Sequence, residues 1–220
     1  MVKKAESRTF EAVIFDMDGV LIDSEMEYIR IWKDLYDREK IDMKIEDLYF
    51  LAGSAHHVEI DLFAEKAGIS AEKAEEIRTA YFVTRPVDYL SIRKFYVTEI
   101  LKHLKDKGIA IALASSSTLS NIDTVLSQCD IKDFFSLVIS GEQFLKTKPD
   151  PEIYLTSIQK LGLKKEEIIV IEDSGYGIEA AKRAGLKVIA IEDPVLQFDN
   201  RKADYIAWDL KEAERIIEQC

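Results

Sequence analysis

The sequence predicts an α/β fold, a Rossmann-like parallel sheet with helices on both faces, interrupted by an α-helical insertion after the first strand. From about residue 97 onward, short apolar runs rich in β-branched residues alternate with segments of helical period, as in a parallel sheet covered on both sides. Residues 24–92 differ, because they contain segments of helical period and no convincing strand. We therefore expect a core domain of residues 1–23 and 93–220 and a separate helical domain of residues 24–92.

Six segments have the length and composition of strands, the last more weakly than the others: 11–16, 109–115, 136–140, 168–172, 187–191 and 203–207. Within the insertion, helical periods cover residues 25–39, 55–67 and 71–83. Capping residues support two later helices. Asp150-Pro151-Glu152 is typical of a helix start and Gly162 of its end, and Ser174 and Gly185 bracket another helix in the same way.

Composition limits the partners and the compartment. The chain has 220 residues, 47% of them hydrophobic, and a formal net charge of −11, which disfavours nucleic acid and anionic membranes as partners. Cys129 and Cys220 have no metal-like spacing, and the N-terminus does not resemble a signal peptide. Charges interrupt every apolar stretch before it reaches the roughly 20 residues that span a bilayer. We expect a soluble cytoplasmic protein that works as a monomer.

The end of the first strand is the most informative local feature. Asp16 and Asp18 follow the apolar run Ala12-Val13-Ile14-Phe15, and Gly19 comes directly after them. In an extended chain, residues i and i+2 point to the same side, so the two carboxylates are brought together while the glycine allows the chain to turn away. Two neighbouring carboxylates require a cation or a proton, which predicts a reactive site.

Three other strand ends also carry polar clusters. The second strand leads into a hydroxyl-rich turn that opens a helix, where an anion fits, although the turn taken alone is better explained as a simple helix cap. A lysine precedes the proline-initiated helix, and a second acidic pair ends the fourth strand. These clusters are Ser115-Ser116-Ser117-Thr118, Lys148 and Glu172-Asp173.

Parallel strands would bring all these clusters to one carboxyl edge of the sheet, where open α/β sheets bind ligands. Four carboxylates in one small region require a hard divalent cation, and Mg²⁺ fits best. The hydroxyls and the lysine would then hold an anion beside it. A metal, a bound anion and a spare carboxylate together predict phosphoryl transfer.

Other sequence patterns point elsewhere but fail on particular residues. Gly175-Tyr176-Gly177-Ile178-Glu179-Ala180 imitates a dinucleotide-binding fingerprint, but the two acids before it would repel a pyrophosphate. A P-loop at Gly141–Thr147 is rejected because Lys146 stands where the second glycine is required. A serine hydrolase would need the G-x-S-x-G elbow, which is absent around Ser115–Ser117.

The complete set of motifs resembles the haloacid dehalogenase superfamily. Phe15-Asp16-Met17-Asp18-Gly19-Val20 is similar to its first motif, Ser115 to the second, Lys148-Pro149 to the third and Glu172-Asp173 to the fourth, all in order. The chain looks like the subfamily that contains β-phosphoglucomutase and small-metabolite phosphatases and carries a helical cap between the first two motifs. The resemblance thus implies that residues 24–92 form an α-helical cap domain.

The resemblance also implies roles for individual residues. Asp16 would attack phosphorus and form an aspartyl-phosphate, and the Asp18 side chain would act as general acid and then general base. The phosphoryl oxygens would be bound by Ser115, the backbone of Ser116, and Lys148. Mg²⁺ would be held by Asp16, the backbone carbonyl of Asp18, Asp173 and Glu172.

The cap would select the substrate, through Glu25, Tyr28 and His56, although His56 fits an ordinary helix start equally well. Tyr28, His56 and Thr118-Leu119 depart from the residues that hold a sugar bisphosphate in β-phosphoglucomutase. We therefore expect a phosphatase for a small phosphorylated metabolite, such as a sugar phosphate. A phosphomutase, and a metal- or phosphate-binding regulatory protein without turnover, remain alternatives.

Overall fold

The computed structural model describes residues 10–52 and 56–220, and for His56 only the backbone. It divides into two compact units. The helical unit is the continuous segment Asp23–Ile92, and the core unit is formed by the chain up to Ile22 and from Arg93 onward.

The core unit is built on one sheet in which every neighbouring pair of strands is parallel. The spatial order of the strands is β3-β2-β1-β4-β5-β6. The prediction of a Rossmann-like parallel α/β fold is confirmed, and all six predicted strands are present. They are β1 Ala12–Phe15, β2 Ala110–Ser115, β3 Leu137–Ser140, β4 Ile168–Glu172, β5 Lys187–Ile191 and β6 Tyr205–Ala207.

The described α-helices are α1 Ser24–Arg38, α2 His56–Ala67, α3 Ala71–Phe82, α4 Val97–Asp106, α5 Leu119–Gln128, α6 Glu152–Leu161, α7 Gly175–Arg183 and α8 Leu210–Gln219. Short 3₁₀ helices cover Ile45–Leu51, Lys132–Phe134, Gly141–Gln143 and Lys165–Glu167. The two predicted helix starts have the expected caps. The N–H of Glu152 donates to Asp150 Oδ1, and the N–H of Gly177 donates to Ser174 Oγ.

Both faces of the sheet are buried, which explains why its strands are continuously apolar. Residues such as Ile14 and Val170 share one core cluster with Tyr154 of α6 and Ile178 of α7. Their strand neighbours point to the opposite face. Phe15 and Ile171 belong to this second set and are fully buried as well.

The strand order creates a crevice at the carboxyl edge. β1 pairs with β2 on one side and with β4 on the other, with Phe15 opposite Leu113 and Ile171. The chain therefore leaves β1 in one direction and later returns on its other side, which is the switch point where α/β sheets bind ligands. The residues that follow β1 and β4 meet at this point.

The helical unit contains α1, α2, α3 and the 3₁₀ helix Ile45–Leu51. Its core is aromatic: Trp32 packs against Phe63 and Phe82, with ring centroids 5.8 Å and 5.3 Å apart, and Tyr36 packs edge-on against Phe63. Trp32 is thus a packing residue. Among the described residues of both units, no helix is long and apolar enough to cross a membrane.

Candidate active site

Asp16 lies directly after β1 at the switch point. Its N–H donates to the carbonyl of Ile171, a bond of 2.9 Å that continues the β1–β4 pairing by one residue. The side chain is almost completely buried, and its Oδ1 accepts a hydrogen bond of 2.6 Å from Lys148 Nζ. A carboxylate fixed at the end of a buried strand has little freedom to turn away from a ligand in the crevice.

Lys148 is the cation of the site. Its Nζ donates to Asp16 Oδ1, to the Ala114 carbonyl at 3.0 Å and to Glu172 Oε1 at 2.7 Å, so all three ammonium hydrogens are engaged. Burial alone would lower the pKa of Lys148, but attraction to Asp16 and Glu172 outweighs it and the pKa lies well above its usual value. Lys148 is therefore charged at neutral pH and neutralises part of the acidic cluster.

Glu172 is completely buried and holds several groups together. Its Oε1 accepts hydrogen bonds from Lys148 and, at 2.8 Å, from the Tyr154 hydroxyl. Its Oε2 accepts from the backbone N–H groups of Asp173 and Ser174 and from Ser174 Oγ. Burial and the neighbouring Glu172 charge raise the pKa of the Tyr154 hydroxyl, which keeps it protonated as a donor.

Two glycines allow the carboxylates to come this close to the backbone. Gly19 has a φ of +72°, and a Cβ there would overlap the Asp173 carboxylate. Gly177, in the first turn of α7, faces the Glu172 carboxylate in the same way. The second glycine of the apparent dinucleotide fingerprint thus has a local explanation, the close approach of a buried acid.

The acidic cluster fits a divalent cation. Asp16, Glu172 and Asp173 each offer a carboxylate oxygen, these oxygens lie within 4.8 Å of one another, and all three residues are buried. Three carboxylates lie around the one ammonium of Lys148, so the charges of these four side chains sum to −2 when all three acids are ionised. Burial raises the pKa of the Asp16 carboxyl, Lys148 opposes this, and Glu172 and Asp18 raise it further. Hard oxygen ligands with an excess charge of two suit a divalent ion such as Mg²⁺.

The turn after β2 brings Ser115 and Ser116 to the same edge. Ser115 is fully buried and its Oγ accepts a hydrogen bond of 3.1 Å from the N–H of Ser117, while Ser116 is exposed. Ser117 Oγ donates to Asp18 Oδ2 at 2.9 Å. This contact joins the turn to the predicted general acid and base.

The structure brings together most of the residues singled out in the sequence. Lys148 is bonded to Asp16 and Glu172, Asp173 lies in the same acidic cluster, and Asp18 is bonded to the Ser115–Ser117 turn. Lys146, by contrast, is largely exposed and lies 3.9 Å from Asp150.

Two residues of the helical unit, Glu25 and Tyr28, line a cavity of about 110 Å³ inside that unit, together with Trp32, Leu51 and Glu59. The side chain of His56 lies outside the described residues, as does the segment 53–55.

Sequence reasoning missed Tyr154, and it gave Ser117 no role beyond its place in the hydroxyl-rich turn. Tyr154 had a usable signal, because it is an aromatic residue with a hydroxyl in the first turn of the helix that follows Lys148-Pro149. Ser117 was one hydroxyl in a run of three, and its partner is 99 residues away in the chain. No local pattern distinguishes it from an ordinary capping serine.

These features define the class of protein. The family model described as haloacid dehalogenase-like hydrolase matches residues 13–191, and the chain belongs to this family. Members of this family that are similar to the chain include phosphatases and a β-phosphoglucomutase-like protein, and the chain is a phosphatase or a phosphomutase of the haloacid dehalogenase type.

Two relatives and one crystal structure match most of this chain. The chain is 32% identical over 182 residues to a phosphorylated carbohydrates phosphatase of Thermotoga maritima, covering 81% of this chain and 83% of the relative. It is 29% identical over 208 residues to hexitol phosphatase B of Escherichia coli, covering 93% and 92%. The crystal structure of a candidate β-phosphoglucomutase from Thermotoga maritima superposes with a TM-score of 0.79, at 26% identity and with 96% and 99% coverage.

Proposed function

We propose that this protein is a Mg²⁺-dependent phosphatase that hydrolyses a small phosphorylated metabolite, a sugar phosphate or similar phosphomonoester. One observation carries the proposal: a buried aspartate at the switch point is paired with a buried lysine and lies beside two further acids. An isolated carboxylate would repel a phosphate dianion, whereas this arrangement offers a nucleophile with opposite charge beside it.

In the proposed first step, an Asp16 carboxylate oxygen forms a bond to phosphorus as the bond from phosphorus to the leaving oxygen breaks. The Asp18 carboxyl gives its proton to that leaving oxygen, which departs as an alcohol. In the second step, Asp18 accepts a proton from water, the water oxygen bonds to phosphorus, and the aspartyl–phosphate bond breaks. Phosphate is released and both aspartates regain their starting states.

The proposed metal ligands are Asp16, the backbone carbonyl of Asp18, Asp173 and Glu172. When bound, Mg²⁺ supplies positive charge between the nucleophile and the phosphoryl oxygens and reduces their repulsion. Glu172 already accepts hydrogen bonds at both oxygens, so it joins the ligand set only by exchanging a donor. Asp16 and Asp173 are accordingly the principal side-chain ligands in this proposal.

We propose that Ser115, the backbone N–H of Ser116, and Lys148 bind the transferring phosphoryl group. The Ser115 hydroxyl and the backbone of the turn supply donors at the start of a helix, where anions are favoured. Lys148 has no unused hydrogen, so it contacts a phosphoryl oxygen only by releasing one present partner. Its principal role here is to hold Asp16 in place and screen its charge.

The helical unit is the proposed cap domain and the source of selectivity. The residues that line its cavity include two acids, Glu25 and Glu59, as well as Tyr28 and Trp32. Carboxylates accept hydrogen bonds, so they favour a leaving group rich in hydroxyl donors, such as a sugar or a polyol. Replacing Glu59 with Gln should weaken turnover of sugar phosphates about tenfold and leave p-nitrophenyl phosphate nearly unchanged. Equal losses on both substrates would contradict this assignment.

The runner-up is a phosphomutase, which the similarity to the candidate β-phosphoglucomutase favours. A binding protein without turnover is disfavoured because the proposed nucleophile and its lysine partner are both present and in contact. We further propose that the protein acts in the cytoplasm as a monomer.

The decisive assay is phosphate release from a panel of monophosphates, with and without Mg²⁺, by the wild type and by Asp16→Asn. We expect Mg²⁺-dependent release that the substitution abolishes. Equal rates in both proteins would eliminate Asp16 as the nucleophile. Isomerisation of a sugar phosphate that depends on a sugar bisphosphate, with little free phosphate, would identify a phosphomutase instead.

A further inference from the structure

Ser117 has a hydroxyl contact that none of the proposed steps uses. Its Oγ donates a hydrogen bond of 2.9 Å to Asp18 Oδ2, across the gap between the loops that follow β1 and β2. The serine is partly buried, and the distance is that of an ordinary hydrogen bond. The contact therefore restrains the side chain that would transfer the proton.

The backbone of Ser117 is itself anchored from two sides. Its N–H donates to Ser115 Oγ at 3.1 Å, and its carbonyl accepts a hydrogen bond of 2.7 Å from Ser140 Oγ, at the end of β3. Ser140 is fully buried, and it also caps the 3₁₀ helix Gly141–Gln143. Hydrogen bonds to Ser115, at the end of β2, and to Ser140, at the end of β3, thus hold the backbone that carries the Ser117 hydroxyl.

We propose that Ser117 is a positioning residue that orients Asp18 for proton transfer to the leaving group, an inference that rests on the proposed function. Because the Ser117 O–H donates to Oδ2, this oxygen is engaged as an acceptor and the transferable proton belongs on Oδ1. The bond thus limits rotation of the Asp18 carboxyl group. Without this bond, Asp18 keeps its acid but loses its fixed orientation, and a small misplacement is costly in catalysis.

This role predicts an effect that depends on the leaving group. p-Nitrophenolate is a weak base and departs with little help from an acid, whereas phenolate and sugar alkoxides require a proton. The test compares p-nitrophenyl phosphate, phenyl phosphate and glucose 6-phosphate with the wild type, Ser117→Ala and Ser117→Thr, all with Mg²⁺. Ser120→Ala, an exposed serine on α5, is the matched control.

We expect Ser117→Ala to lower kcat/KM, which reports the steps up to departure of the leaving group, about tenfold for phenyl phosphate and glucose 6-phosphate, and less than about twofold for p-nitrophenyl phosphate. Ser117→Thr retains the hydroxyl and should restore most of the loss. Equal losses on all three substrates would assign Ser117 a purely structural role, and no loss on any would show that its bond is irrelevant. Either result overturns the inference while leaving the proposed phosphatase intact.

A double-mutant cycle gives an independent measurement if Ser117→Ala lowers stability. With Asp18→Asn already present, adding Ser117→Ala should cause no further loss that depends on the leaving group, since the two residues act as one unit. A full additional loss would overturn the inference. Failure of the wild type to release phosphate from any of the three substrates would instead count against the proposed function itself.

Discussion

Lys148 Nζ lies 2.6 Å from Asp16 Oδ1, although the two residues are 132 positions apart in the sequence. Both side chains are about nine-tenths buried. A buried ion pair is costly to form but still more costly to break, because removal of one partner leaves an uncompensated charge. When no metal is bound, the charge of Lys148 therefore stabilises the buried acidic cluster.

Replacing Lys148 with Met should lower kcat/KM for p-nitrophenyl phosphate by about 10²–10³, because charge stabilisation at the phosphoryl group and orientation of Asp16 are both lost. Lys146→Met is the matched control, since this lysine lies two residues earlier and is largely exposed. We expect the control to retain nearly full activity. Equal losses in both variants, measured at saturating Mg²⁺, would contradict the role given to Lys148.

Tyr154→Phe tests the hydrogen bond that supports Glu172. The ring remains in the core, but Glu172 Oε1 loses one of its two donors. We expect the free energy of unfolding in urea to fall by about 1–2 kcal/mol. Phosphatase activity should fall as well, because Glu172 is then less restrained and holds its partner Lys148 less firmly.

Tyr49→Phe, in the helical unit, is the control for removing a tyrosine hydroxyl. If Tyr154→Phe and Tyr49→Phe changed stability and turnover equally, the bond to Glu172 would have no special importance.

Gly177→Ala tests whether Gly177 is an ordinary glycine in a helix or is required for the close approach of the Glu172 carboxylate. Within a helix this change ordinarily stabilises by up to about 1 kcal/mol. Here the new Cβ would overlap the Glu172 carboxylate, so we expect a loss of about 2 kcal/mol or more, together with loss of activity. In Gly175→Ala, two residues earlier, the new Cβ would lie 3.2 Å from the Asp199 carbonyl oxygen and 3.6 Å from the Asp199 Cβ, so this variant should cost less. A stabilised Gly177→Ala protein would show that the close approach is unimportant.

The sequence predicted the sheet and the acidic site for reasons that lie in local chemistry. Apolar strands buried on both faces leave a continuous β-branched signal, and parallel strands must deliver Asp16, Ser115 and Glu172 to one edge. Pairwise contacts carry no such signal. The hydroxyls of Tyr154 and Ser117 acquire their importance from partners that are distant in the chain, and periodicity gives no information on them.

Sequence patterns also did not predict the spatial order of the strands. Alternating strands and helices predict a parallel sheet, but not that β1 lies between β2 and β4. That order depends on which strands pair across long connections. It is this arrangement that turns two separate acidic strand ends into one cluster.

The excess negative charge of the cluster predicts how stability depends on pH and metal. In the metal-free protein, burial raises the pKa of Asp16, so the folded state binds a proton more readily than the unfolded chain. The free energy of unfolding should therefore decrease as the pH rises through the folded-state pKa, and it should recover on acidification. Saturating Mg²⁺ replaces the proton as the compensating charge, so it should raise the melting temperature and flatten this dependence.

Asp16→Asn removes one of the two acids that share the charge of Lys148. With EDTA present at about pH 8, this variant should be more stable than the wild type, because Lys148 keeps its bonds to Glu172 and to the Ala114 carbonyl while one buried acid is lost, and its stability should change less with pH. It should also show a smaller stabilisation by Mg²⁺, because a ligand is lost. Asp133→Asn, an exposed aspartate, is the control and should follow the wild type in all three respects. Urea unfolding of the three proteins, from acidic pH up to about pH 8, measures the effect. A wild type whose metal-free stability rises with pH would show that the cluster carries no excess charge.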